Sequence, residues 1–368
     1  MDKNRPKVSL GLLVYNGEEF LSETITSLLA QTYEDFELVI SDNGSTDGTR
    51  AICTDFADQD SRIRCVHHAE NRGASWNFAE AFRLSQGEYF KWCTHDDPCE
   101  PDFLKTCVDM LDANPALVWC MSGIQVIDRF GRDIEDVDAS CSGAAQHATP
   151  ADISPDGQVA LHSDYEFPHQ RFRKVLLGGT ACMDMLGLIR SRNLAKANLH
   201  YLYRGYEKVV MAELALQGHG VRFDTPLFKY RFHSQASIAL HDIRAQQRWC
   251  DPNRNWRFTC PRLCLLRDFL RVPLRHPLSL AERARCLAAV GRYLLQLEKW
   301  GPAFRRMREG TGMDNDNRAR LREIEDDNAP SQSGEDDLES ASEAHPCRVP
   351  ALDGPQDYTN GHHNSDHL

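Results

Sequence analysis

Short apolar runs alternate with amphipathic stretches along the first third of the chain. The runs at residues 8–14, 36–40, 63–66, 89–93 and 117–127 are rich in Val, Ile, Leu and aromatic residues and are expected to be buried strands. Between them the apolar spacing lengthens to that of a helix. Residues 18–30 carry Phe20, Leu21, Ile25, Leu28 and Leu29 on one face. A second helix runs towards Phe56, with Ser45 or Asp47 able to cap it. A third follows the turn Asn71-Arg72-Gly73 and ends near Gly87. A fourth starts at Pro101 and stops at Asn114-Pro115, because proline suits a first turn and forbids continuation beyond the last. Strands alternating with helices to residue 130 predict a mainly parallel, doubly wound α/β sheet with helices on both faces.

The second half is less regular. Residues 133–157, rich in Ser, Ala, Asp, Gly and Pro, read as a loop over the carboxyl edge of the sheet. Helices are expected at 167–177 and 206–216, and strands at 187–190, 221–223 and 227–232. Residues 243–308 read as helical. The clearest stretch is 279–298, with a Ser279–Glu282 capping box and an apolar stripe of Leu280, Leu287, Val290, Leu294 and Leu297. The expected organisation is one domain over 1–240, with halves at 1–130 and 131–240, a basic helical extension over 241–309, and a disordered acidic tail over 310–368.

Charge sharpens that division. The chain has 368 residues and a formal net charge of -12. Residues 1–243 hold 23 basic and 35 acidic side chains, residues 244–322 hold 18 and 7, and residues 323–368 hold 1 and 12. The basic helical region suits an anionic partner such as a membrane surface, or is a solvated face whose apolar side packs on the main domain. No apolar run reaches transmembrane length, so peripheral association is the membrane role open to it. The 13 cysteines include no C-x-x-C pair, and with no signal peptide they point to reduced thiols and a cytoplasmic location.

The candidate chemistry collects at strand ends, where open α/β sheets bind ligands. After the first strand come Tyr15 and Asn16, after the second Asp42, Asn43 and Ser45, and after the fourth Thr94-His95-Asp96-Asp97. Adjacent carboxylates such as Asp96 and Asp97 repel each other unless a cation lies between them and a ligand. Magnesium or manganese is commonly held by one or two carboxylates plus substrate phosphates. The set suits a nucleotide, and nothing in it calls for a nucleic acid.

With these residues in view, the chain resembles a family 2 glycosyltransferase of GT-A fold. The resemblance rests on V-Y-N-G-E at 14–18, L-L-A-Q-T-Y at 28–33, S-D-N-G-S-T-D-G-T at 41–49, N-R-G at 71–73, G-E-Y-F-K-W at 87–92, H-D-D-P at 95–98 and E-P-D-F-L at 100–104. It covers about residues 8–237. It implies an inverting transfer from a nucleotide diphosphate sugar to a carbohydrate or lipid-linked acceptor. Surface polysaccharide or glycoconjugate synthesis follows as the setting, in the cytoplasm or at the inner face of the membrane.

The resemblance also assigns residues. Tyr15 lies at the base, Asp42 and Asn43 bond base and ribose, and Asn16, Arg72, Asp97 and Arg231 belong to the donor site. Asp96 binds a divalent cation, Mn or Mg, with His233 as a second candidate ligand. Thr94 stands where the first acid of an Asp-x-Asp motif is usual, and Asn43 where many members carry Asp. The base that takes the acceptor proton falls on Glu207, with Asp184 as rival. Trp76 and Trp92 are candidates for the sugar pocket or the core. Two other readings stay open: a sugar nucleotidyltransferase, which would need a glycine-rich basic loop that residues 15–19 do not provide, and a non-catalytic binding module, motivated by Thr94 and Asn43.

Overall fold

The computed structural model describes residues 5–134, 165–178, 183–233, 235–236, 243–253, 260–296 and 300, all within one compact unit, Met1–Asp326. Most of the 133–157 loop and the whole of the acidic tail lie outside the described residues, as do Leu297 and the helix expected to run on to 308.

Seven strands form one sheet: β1 (Val8–Val14), β2 (Phe36–Asp42), β3 (Ile63–His67), β4 (Tyr89–Thr94), β5 (Leu117–Ile127), β6 (Leu188–Arg190) and β7 (His219–Arg231). Their order is β3-β2-β1-β4-β6-β5-β7, and only β6 runs antiparallel to its neighbours. All seven residues of β1 are buried because the strand is covered on both faces, as a central parallel strand must be. Strand order reverses beside β1, so the carboxyl ends of β1 and β4 flank the crevice where such sheets take their ligands.

The covering helices are α1 (Leu21–Leu29), α2 (Thr49–Gln59), α3 (Ala74–Leu84), α4 (Phe103–Ala113), α5 (Pro168–Leu177), α6 (Ser191–Leu194), α7 (Glu207–Gln217), α8 (Ile243–Cys250), α9 (Pro261–Arg275) and α10 (Leu280–Leu294). Helix α7 is buried from Val209 to Leu216, which fits its nearly all-apolar sequence. Two clusters tie the helical extension to it and to the segment preceding it. Glu213 accepts from Tyr201 Oη at 2.6 Å and faces Arg275 and His276. Asp268 accepts from Tyr203 Oη at 2.8 Å and from Arg267.

Three expectations change. The two strands expected at 221–223 and 227–232 are one strand, β7. Its exposed Asp224, Thr225 and Pro226 sit where the register with β5 slips at Gly123, and Pro226 is tolerated because β7 is an edge strand. The capping box is half-formed: Ser279 Oγ accepts from Glu282 N at 3.2 Å. The Glu282 carboxylate turns instead to His169, taking its backbone N–H at 3.0 Å and meeting Nδ1 at 2.8 Å. The buried stripe of α10 is Cys286, Ala289, Val290 and Tyr293, while Leu280 and Leu294 face solvent.

Candidate functional site

The turns after β1 and β2 bond to each other side chain to backbone. Asn16, in the left-handed region at φ 51°, accepts from Thr46 N at 2.8 Å, and its own N–H goes to Ser45 Oγ at 2.9 Å. Gly17 N donates to Thr49 Oγ1, and Gly48 N to Glu18 Oε2. A side chain at Gly17 would put its Cβ 2.5 Å from the His95 ring, so glycine here lets the β1 and β4 turns touch. Tyr15 stands free of this lattice, 42 % exposed, its ring available to a planar base.

Asp42 and Asn43 are buried instead. Asp42 accepts from Ser45 N at 3.0 Å and pairs with His67 Nδ1 at 2.8 Å. Asn43 donates to Asn71 Oδ1 and to the Gly73 carbonyl, and accepts from Arg72 N at 3.0 Å. Both N–H bonds of its amide are thus used, and Asn43 is a clamp on the 71–73 turn rather than a free base contact. Gly73, at φ 88°, needs its missing Cβ: one there would lie 2.3 Å from the Cys250 carbonyl at the end of α8. Arg72 is exposed and lies over the Trp76 ring at 4.3 Å, with His68 edge-on to the same ring at 4.7 Å. Trp92 is fully buried, with Nε1 on the Phe78 carbonyl, and belongs to the core.

The two adjacent carboxyls after β4 have opposite environments. Asp97 is buried, accepts from Arg231 N at 2.8 Å and bonds Thr94 Oγ1. Burial and the neighbouring Asp96 charge push it well above the usual carboxylate range. Asp97 therefore ties β4 to β7 rather than meeting a donor. Asp96 reaches His233 Nε2 at 3.0 Å. Burial opposes its ionisation, but His95 and His233 outweigh that and hold it down at about 2. The pair therefore keeps one carboxylate charged at the mouth of the crevice.

Arg231 differs from the expectation of a diphosphate ligand. It is 1 % exposed, and its guanidinium donates to the carbonyls of Asp96, Asp128 and Arg129 and to Glu23 Oε2 at 2.6 Å. With Nε, Nη1 and Nη2 all engaged inside the protein, it positions the Asp96 backbone. Phe20 completes this wall, packing on the Arg231 guanidinium at 4.9 Å and on the His233 ring at 4.8 Å. Phe20, Glu23, His67 and His68 were not singled out in the sequence. Phe20 reads there as one more apolar helix position.

Glu207 opens α7, and its side chain makes no hydrogen bond or ion pair to another described residue. The preceding Tyr206 packs edge-on against Phe78 of α3 at 6.0 Å. Burial pushes the Cys250 thiol, at the end of α8 that touches the 71–73 turn, up to about 12. Asp184 is committed elsewhere, accepting from Arg222 Nε at 2.8 Å.

For a divalent cation, Asp96 and His233 offer two adjoining donors on the crevice. Among the described residues no three His, Cys, Asp or Glu side chains form a self-sufficient cage. Magnesium at phosphate sites is commonly held by one or two carboxylates completed by substrate phosphates, so Asp96 fits a cation that arrives with its substrate, with the His233 imidazole beside it.

The model of glycosyl transferase family 2 matches residues 9–142, which span β1 to β5 and every turn just described up to Asp133. Over these residues the chain is similar to glycosyl transferase family 2. An uncharacterised glycosyltransferase of Rickettsia typhi is 33% identical over 127 residues, 34% of this chain and 38% of the relative. The glucosyl-dolichyl phosphate glucuronosyltransferase of Haloferax volcanii is 36% identical over 132 residues, 35% of this chain and 41% of the relative. The chain thus matches about two fifths of these relatives' length. Among solved structures, S. aureus TarS 1-349 in complex with UDP-GlcNAc shares the fold, with a TM-score of 0.54 at 14% identity over 78% of this chain and 72% of that one. The fold is GT-A.

Proposed function

We propose that the protein is an inverting glycosyltransferase that moves a sugar from a nucleotide diphosphate sugar to a hydroxyl of a carbohydrate or lipid-linked acceptor, in surface polysaccharide or glycoconjugate synthesis. The observation that carries the proposal is the Asp96–His233 pair at 3.0 Å, set at the carboxyl ends of β1 and β4 beside an exposed Tyr15. Tyr15 stacks on the base. Asp42 and Asn43 act by holding the turns that receive base and ribose. Arg231 and Asp97 act by fixing the main chain around Asp96.

A bound Mn or Mg ion, held by Asp96 with His233 beside it, would offset the charge that grows on the departing nucleotide diphosphate. Glu207 takes the proton of the acceptor hydroxyl as that oxygen attacks the anomeric carbon. Attack from the face opposite the leaving diphosphate gives inversion. Asp184, neutralised by Arg222, is the weaker candidate for base.

Thermal-shift screening of nucleotide sugars with and without manganese tests the donor side, with UDP-GlcNAc and a glucuronosyl donor leading the panel. The expected result is a metal-dependent stabilisation by one nucleotide class that Asp96→Asn abolishes. Metal-independent donor turnover in Asp96→Asn overturns the assignment, and binding without any turnover makes the protein a donor-binding module.

A further inference from the structure

Helix α9 turns a ridge of leucine towards water. Its inward side is Asp268, Phe269, Val272 and Pro273. Its exposed positions are Leu263, Arg267, Leu270, Arg271, Leu274 and Arg275, so every exposed residue of this helix is leucine or arginine. The three leucines are 47, 41 and 58 % exposed. Their spacings, seven and four residues, stack them on one face of the helix. Leu280, just past the turn that ends α9, is 81 % exposed. The apolar side of this basic region is therefore not wholly used in packing on the domain.

Charge says what the ridge faces. Residues 260–296 contain seven arginines and two acids, Asp268 and Glu282. Asp268 is buried on Tyr203 and Arg267, and Glu282 is held by His169 and Arg285. Arg267 and Arg271 share the buried Asp268 and Arg275 faces the buried Glu213, so every charge that α9 exposes is basic and one positive charge is left in excess.

We propose that this face of α9 docks on an anionic phospholipid surface, with Leu263, Leu270 and Leu274 entering the headgroup boundary and the arginines meeting lipid phosphates. Apolar insertion and basic attraction together are the two signals that stable peripheral binding needs. A second copy of the chain would set arginine against arginine across a two-fold contact. An acidic polar partner would match the arginines but leave the leucines in water. The binding is peripheral, since no described helix is long and apolar enough to cross a membrane. The docking does not depend on the transferase reading.

The test is co-sedimentation of the full chain with phosphatidylcholine vesicles, with and without phosphatidylglycerol. The full chain should pellet with the anionic vesicles only, and rising salt should release it. Leu270→Glu/Leu274→Glu should weaken partitioning by about tenfold or more while leaving the thermal midpoint and any nucleotide-sugar stabilisation in place. If that variant is poorly folded, Leu270→Ser/Leu274→Ser takes its place. Unchanged vesicle binding in the folded variant, or no binding by the full chain, overturns the proposal. So does a concentration-dependent dimer that the variant dissolves. Loss of vesicle binding with donor binding retained separates this surface from the donor site.

Discussion

The donor-side turns and the start of α7 lie in one GT-A fold but use their polar groups in opposite ways. After β1, β2 and β4, almost every polar side chain bonds another turn: Asn16 to Thr46, Asp42 to Ser45 and His67, Asn43 to residues 71–73, Asp97 to Arg231. At α7, the Glu207 side chain bonds no described neighbour. The first arrangement is a rigid seat formed before any ligand arrives, which lowers the ordering cost of binding. The second leaves the Glu207 side chain without a bond to any described residue, which suits the proton transfer proposed for it. The contrast teaches that the donor side is built by framework residues, and that few side chains are left over for the reaction itself.

Substitutions at the two ends should separate along that line. Asp96→Asn should lower sugar transfer by about a thousandfold or more in a protein that still folds, with only the modest loss of midpoint that the missing His233 contact brings; a collapse of the midpoint would make Asp96 framework too. Glu207→Gln should reduce kcat by about 10²–10⁴-fold with little change in donor KM, measured under saturating acceptor. A rate close to the parent's would move the base elsewhere. Arg231→Met should cost about 3–5 kcal/mol in denaturant unfolding, because buried carbonyls of Asp96, Asp128 and Arg129 lose their donor. Asn43→Ala should cost about 1–3 kcal/mol and weaken nucleotide binding in calorimetry through the 71–73 turn, whereas unchanged stability would remove Asn43 from the framework.

The smallest effect is a pH dependence far from the crevice. Burial would raise the Glu282 carboxyl, but bonds from His169 and Arg285 outweigh that and hold it below its usual range. A depressed carboxylate contributes stability that is complete above the unfolded value, near pH 4, and is lost as acidification passes through the folded one. Glu282→Gln should remove about 1–2 kcal/mol at neutral pH and flatten the acid limb of the stability profile. A variant whose profile overlays the parent's would show that the α5–α10 contact carries no linkage.

The sequence shows the donor half plainly because its determinants are local. Val8–Val14 and Phe36–Asp42 are rich in Val, Leu and Ile and almost wholly buried, and the turns after them carry the motif residues themselves. The second half needs long-range information. Glu282 looks like half of a capping box until His169, far away in sequence, takes its carboxylate. The polar break Asp224-Thr225-Pro226 looks like a loop until β5 supplies the register slip at Gly123. Arg231 has the right charge for a diphosphate, and only the positions of Glu23 and Arg129 show that its donors are already engaged.

That single guanidinium has a mechanical consequence. It holds the main chain at Asp96, the turn after β5 that carries the exposed Phe130, and Glu23 on α1. A ligand that steadies the Asp96 main chain should therefore also steady the Phe130 turn, and slowed amide exchange at residues 128–131 on donor binding is the measurement that checks it.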